Sequence, residues 1–338
     1  MTTPFRSAFW VESGHFQTLW PTLFRRPPAL SRRRERFLTN DGDFFDIDWF
    51  GPAGRPVVIL LHGLAGCSSS SYILGLQQAL GKKNFQSAAI NFRGCSGEIN
   101  RKAAGYHAGF TRDLNQLYWH IKGLSPALPI AVVGFSLGGN ILLKWLGEQQ
   151  EKLGLLGAVA VSVPFKLSMC ADRLDSGLSR IYRDYLIKLL KQSLLRKQSS
   201  LYDIGEEIEA NKIAQLDDLS TIRSFWDFDD RVVARLNGFS DVYDYYEQSS
   251  SLRYLENIGE KTLIIQADND PFMLPEVNLI SDHLSSSTML EITCGGGHVG
   301  FISSNSMFGR NYWLEERIPD FLAEQFTLTG HKFRRSGR

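Results

Sequence analysis

Apolar residues in this chain gather in short unbroken runs, separated by helix-length stretches in which they recur every three or four positions. The runs PVVILLHG (56–63), SAAINFRG (87–94), PIAVVGFS (129–136), LLGAVAVSVP (155–164), KTLIIQADND (261–270) and TMLEITCGG (288–296) predict strands covered on both faces, as in a parallel sheet. Amphipathic segments at 71–82, 109–122, 137–149 and 276–284, with LEERIPDFLAEQF closing the chain, predict the intervening helices. Strand alternating with helix defines an α/β protein with a mostly parallel sheet. Ahead of this pattern, RERFLTNDGDFFDIDWFG (34–51) sets an Asp-Gly turn between two β-prone runs and predicts an opening hairpin.

The alternation stops between residues 165 and 257. There CADRLDSGLSRIYRDYLIKLLKQSLLRK (170–197) and DIGEEIEANKIAQLDDLSTIRSFWDFDDRVVARL (203–236) read as helices with charged faces, and GFSDVYDYYEQSSSLRYL (238–255) as a further turn or two. The expected organisation is a core of residues 1–164 and 258–338, with a helical lid of 165–257 above the strand ends, where its apolar residues can meet substrate.

With 338 residues, 43% hydrophobic and 22% charged, the chain can bury a large core and has the composition of an ordinary globular protein. A net charge of +1 gives no reason to expect nucleic acid as partner. The local basic clusters (Arg25, Arg26, Arg32, Arg33, Arg34, Arg36 and the tail HKFRRSGR) read as solvated surface. Cys67, Cys95, Cys170 and Cys294 form no C-x-x-C pair, which points to reduced thiols and away from a metal knuckle. Without a long apolar run or a secretory-type start, a cytoplasmic protein is expected. The aromatic stretch FWVESGHFQTLWPTLF (9–24) is expected to pack on the core, with peripheral contact to a lipid surface as the alternative.

The chemistry begins at AVVGFSLGGN (131–140). Ser136 stands between Gly134 and Gly138, after a strand and before a helix, the setting of a nucleophile on a sharp turn too crowded for side chains at either glycine. A serine hydroxyl needs a base, and that base needs a carboxylate to orient it. His298, in the glycine loop CGGGHVGF, is the expected base. His15, His62, His107 and His120 precede the serine, His283 reads as a surface residue and His331 lies in the tail. Of the two aspartates in ADNDPFM, Asp270 is preferred because Pro271 fixes its direction. Asp268 is the alternative, with the unused one capping the turn. The amides of Leu137 and of Leu64, in LLHGLAGCSSSS, are the expected oxyanion donors. Ser68 to Ser71 read as helix caps, and Cys67 lacks the setting of a nucleophile. No metal or organic cofactor is implied.

These residues resemble the YheT-like α/β-hydrolases, a branch related to eukaryotic membrane-lipid hydrolases and to yeast enzymes that make or cleave medium-chain fatty-acid ethyl esters. The resemblance spans nearly the whole chain and rests on HFQTLWPTLFRR, LLHGLAG, NFRGCSGEINR with YHAG, VVGFSLGGNILLKWLGE, SVPFKLSMCADRL, FDDRVVARLNGFSDVYDYY, DNDPFM and GGGHVGF. It implies an α/β-hydrolase fold with a helical insertion before the acid-bearing strand, and a triad at Ser136, Asp270 and His298. The function it implies is cleavage of short- or medium-chain or lipid esters through an acyl-enzyme, with acyl transfer to an alcohol as the alternative. A non-catalytic binding protein on the same fold is the remaining reading. The chain departs from the family at Lys261, where relatives commonly have proline, and at Ala108 and Phe110 in YHAGFTRDL. The loop carrying those two residues is expected to border the substrate pocket.

Overall fold

In the computed structural model, residues 4–274, 280–303 and 311–328 are described. The opening hairpin forms as β1 (Arg33–Leu38) and β2 (Phe44–Phe50), closed by Gly42 at φ +80°. It is followed by β3 (Val57–Leu61), β4 (Gln86–Asn91), β5 (Ile130–Phe135), β6 (Gly157–Val161), β7 (Thr262–Ala267) and β8 (Thr288–Thr293). Among the described residues these make an eight-stranded sheet in the order β1-β2-β4-β3-β5-β6-β7-β8. The hairpin pairs antiparallel and every pairing from β4 to β8 is parallel.

Period-two burial explains why the central strands read as unbroken apolar runs. In β3, Val57, Ile59 and Leu61 face one apolar cluster while Val58 and Leu60 face another. The first is covered by α3 (Arg112–Leu124) and α4 (Leu137–Gly147), the second by α2 (Ser71–Lys82) and the closing helix α11 (Leu314–Leu328). At the rim, β8 departs from expectation. It is an edge strand with Met289 and Ile292 about half exposed, so it is not covered on both faces. Of the helix expected at 276–284, residues 276–279 lie outside the described residues and the remainder is a short 3-10 turn, Ser281–His283. The basic tail and His331 also lie outside them.

The segment 165–257 is more broken than its pattern suggests. Instead of one helix over 170–197 there are α5 (Leu167–Leu174) and α6 (Ser179–Asp203), separated at Gly177, whose φ of +55° ends helical geometry. After α7 (Glu207–Ala214), the 203–236 stretch loses its helix at 215–224 except for one 3-10 turn. It resumes as α8 (Phe225–Phe228), a π-helical turn at Asp229–Ala234 and α9 (Arg235–Asn237), which Gly238 stops at φ +81°. The Asp241 carboxylate then caps α10 (Val242–Ser249) by accepting from the Asp244 amide.

The N-terminal aromatic stretch divides its allegiance. In α1 (Gly14–Phe24), Gly14 and Gln17 are buried against the body, while Phe16, Leu19, Leu23 and Phe24 remain exposed. The arginine cluster is paired rather than merely solvated: Arg25 with Glu315, Arg34 with Asp48, and Arg36 with both Asp46 and Glu98. No described helix is long and apolar enough to cross a membrane.

Candidate active site

Parallel strands end on the same side, so β5, β7 and the turn after β8 deliver their following loops to one place. At the end of β5, Ser136 has φ +52° and ψ −120°, a conformation a serine adopts only when its surroundings enforce it. The enforcement is visible at the flanking glycines. A Cβ on Gly134 would stand 2.3 Å from the Gly138 carbonyl oxygen, and one on Gly138 would stand 2.6 Å from the carbonyl oxygens of Leu61 and His62. The Ser136 amide is anchored to the Val161 carbonyl at 2.8 Å, and the serine leads directly into α4.

Three side chains distant in sequence meet here. Ser136 Oγ lies 2.9 Å from His298 Nε2, and His298 Nδ1 lies 2.8 Å from Asp270 Oδ2. The other Asp270 oxygen accepts the Phe272 amide at 2.8 Å, and the Phe272 ring stacks on the imidazole with centroids 4.2 Å apart. The hydrogen-bond directions that fit are Ser136 O–H donating to Nε2 and His298 Nδ1–H donating to the buried carboxylate. Asp268 is not in this chain of contacts; it accepts the Gly295 amide at 2.7 Å and fastens the start of the histidine loop.

The three glycines before His298 do not make the loop flexible. They take φ of +83°, +126° and +58°, and the loop is held at every step: Gly297 N–H on Asn269 Oδ1, His298 N–H on Thr18 Oγ1 and Val299 N–H on Ser162 Oγ. Glycine is needed for the backbone path, and its neighbours remove the freedom that path would otherwise leave. Sequence reasoning missed Thr18, Asn269, Ser162 and Phe272. The only signal for Thr18 was its place in HFQTLW, and nothing local indicated that α1 would dock on the histidine loop.

Of the two expected oxyanion donors, Leu137 follows the serine directly and Leu64 lines the same cavity as the serine. Leu137 is the first residue of α4, where the helix leaves its N–H without an internal acceptor. Leu64 follows Gly63, where a Cβ would stand 3.3 Å from that of Ser136. The loop's anchor is His62, which is fully buried: its Nε2 accepts the Phe92 amide at 3.2 Å, so Nδ1 carries the proton that bonds the Gly63 carbonyl at 2.7 Å. Burial pushes this imidazole down to about 4, with the Gly63 bond opposing. Between pH 6.5 and 4 the unfolded chain therefore binds a proton that the folded chain refuses, and stability falls as the pH is lowered through that window. The loss expected from this residue is about 3 kcal/mol. Denaturant unfolding of wild type and His62→Gln at pH 7 and pH 4 measures it; an equal pH dependence in both proteins refutes the assignment.

The serines after the loop do not cap α2 as expected. Ser70 holds the N-cap position without a side-chain cap bond and instead accepts the Cys67 amide, while Ser68 is buried with its hydroxyl on Asp48. Among the described residues no group of three or more His, Cys, Asp or Glu is arranged to hold a metal.

Ser136 and His298 open into a cavity of about 480 Å³ with a predominantly apolar lining. The 165–257 segment supplies part of its wall, including Leu167, Leu174, Leu186, Leu190, Phe225 and Val233. The YHAG loop borders it as expected through Tyr106, His107 and Ala108. Phe110 instead lies buried beneath, beside Arg93 and Arg112. Asn140, one turn along α4, ties these parts together by donating to the carbonyls of Ala108 and Ser249 and accepting the Ser251 amide.

A parallel sheet carrying a strained serine at a strand-to-helix turn, with the histidine loop after the last parallel strand, defines an α/β-hydrolase. The profile of the alpha/beta hydrolase fold matches residues 56–304, and the chain belongs to that family. Within it the chain is YheT-like, being 38% identical to the candidate esterase YheT of Escherichia coli (strain K12) over 91% of this chain and 89% of that one. Phospholipase ABHD3 of Mus musculus is 28% identical over 98% of this chain and 81% of its own length. The solved Pyrococcus furiosus esterase Pf2001 superimposes with a TM-score of 0.57 at 15% identity, covering 97% of both chains, and speaks to the fold alone. Relatives bearing esterase, phospholipase and lipase names place the chain among hydrolases.

Proposed function

We propose that this protein cleaves carboxylic esters of short- or medium-chain acyl groups, or lipid esters, through an acyl-enzyme on Ser136. The observation that carries the reading is the unbroken Ser136–His298–Asp270 hydrogen-bond chain at the floor of an apolar cavity. Ser136 Oγ attacks the ester carbonyl carbon as its proton passes to His298 Nε2. Asp270 stabilises the imidazolium, and the amides of Leu64 and Leu137 hold the negative charge developing on the carbonyl oxygen. Collapse breaks the ester C–O bond and His298 gives its proton to the departing alcohol. Water, deprotonated by the same imidazole, then attacks the acyl-enzyme, and breaking its C–O bond releases the acid and restores the serine.

The 165–257 segment acts in this reading as a cap that lodges the acyl chain. Leu19 and Tyr185 both line the cavity and are exposed, which marks its mouth. Phe16 and Leu23 on α1, Ile181 on α6 and Leu178 just before α6 are exposed large apolar residues. That surface supports peripheral contact with a lipid aggregate as the source of substrate. The free state of all four cysteines supports a cytoplasmic setting.

The expected result with nitrophenyl esters from acetate to dodecanoate is a kcat/KM that rises to a medium-chain optimum and falls for chains the cavity cannot hold. Absence of turnover across the series would remove the reading. With ethanol and water in competition, free acid as the main product identifies a hydrolase, whereas ethyl ester as the main product converts the assignment to acyl transfer.

A further inference from the structure

The cavity wall contains one carboxyl group that this chemistry does not use. Asp229 begins the π-helical turn Asp229–Ala234, between α8 and α9, and lines the cavity together with Phe225, Phe228, Val233, Tyr245 and Tyr246. One of its oxygens accepts the Tyr246 hydroxyl at 2.8 Å. Among the described residues no arginine, lysine or histidine forms an ion pair with it, and its second oxygen has no protein donor. Asp229 as a whole is half-buried and lines the cavity, so its carboxyl is not sealed inside the protein. Burial pushes the carboxyl up to about 7, the Tyr246 bond only partly offsetting it.

Such a group is costly to cover with hydrocarbon, because an apolar chain laid against this wall excludes water and supplies no donor to the second oxygen. Tyr246 alone does not account for it, since a phenol needs one acceptor and Asp229 brings two oxygens. A π-turn shifts the register of side chains on a helix, and here it turns this carboxyl rather than its neighbour inward: Asp230 instead accepts the Val242 amide outside the cavity wall. In the acyl-enzyme reading the acyl chain bonded to Ser136 lies in this cavity, whose wall includes Asp229.

We infer that the preferred acyl chain carries a hydroxyl group, and that Asp229 accepts its hydrogen bond, making Asp229 a specificity-determining residue. The inference rests on the ester-hydrolase reading for the direction in which the chain lies. A plain hydrocarbon chain leaves the carboxyl desolvated and unpaired, whereas a hydroxyl supplies the missing donor, and buried polar groups of this kind discriminate strongly against ligands that lack the matching group.

The test separates binding from turnover. In protein carrying Ser136→Ala, calorimetry compares octanamide with hydroxyoctanamides whose hydroxyl is moved stepwise from C3 to C8. At least one isomer is expected to bind about tenfold more tightly than octanamide. At pH 8.5, where the carboxyl is ionised and can only accept, the methyl ether of that isomer, which has no proton to give, is expected to lose the advantage. Adding Asp229→Asn, which keeps an acceptor, should preserve most of the preference, and adding Asp229→Leu should abolish it while octanamide still binds. Equal binding of every isomer, an ether as good as the alcohol, or a preference that survives Asp229→Leu overturns the inference. Turnover of nitrophenyl octanoate by wild type, without any hydroxyl preference in binding, leaves the Ser136 chemistry standing and removes this role of Asp229. Hydroxyl-selective binding without turnover does the reverse.

Discussion

Replacing Ser136 by alanine is expected to lower kcat/KM for the best nitrophenyl ester by about 10⁴- to 10⁶-fold while leaving the unfolding midpoint near that of wild type. The variant loses the oxygen that hydrogen-bonds His298 Nε2, and with it the nucleophile of the proposed mechanism. In the proposed mechanism what survives is the cavity and the amides of Leu64 and Leu137, which would still polarise an ester toward water. A fluorophosphonate probe should label the wild type at this serine and leave the variant unlabelled. Retention of the rate to within tenfold would show that the strained serine is not the nucleophile.

The second large effect separates the two aspartates of ADNDPFM. Asp270→Asn is expected to cost about 10⁴-fold in kcat, because an amide in place of the buried carboxylate favours the wrong imidazole tautomer and leaves the imidazolium unsupported. Asp268→Asn should keep kcat within about tenfold and lower stability by about 1 kcal/mol, since Asp268 meets the histidine loop only through the Gly295 amide. Steady-state kinetics alongside denaturant unfolding of both variants checks this. The reverse ordering of kcat would transfer the acid's role to Asp268.

Much of the frame was legible because burial on both faces forces a central strand to be apolar at every position. The runs at 56–63, 87–94, 129–136, 155–164 and 261–270 accordingly coincide with β3 to β7. The run at 288–296 carries the same composition but lies at the sheet edge, a fact that depends on what packs beside it rather than on its own residues. The 165–257 segment was harder to read for a similar reason. A helix pattern persists across 170–197 although Gly177 breaks it, and the π-turn at 229–234 has no periodic signature. Phe110, expected near the pocket because its neighbours are, turns inward beneath Arg93.

By itself the sequence determined the strand-turn-helix around Ser136, because the strain there admits only glycine at 134 and 138, and that requirement is written in the residues themselves. It also determined the order of serine, aspartate and histidine along the chain. Tertiary structure alone decided which aspartate faces the imidazole, that Thr18 of an N-terminal helix pins the histidine loop, and that Asp229 lines the cavity. Each of those joins or faces groups supplied by segments far apart in the chain. Local preference has no information about such partners; only packing brings them within hydrogen-bond range.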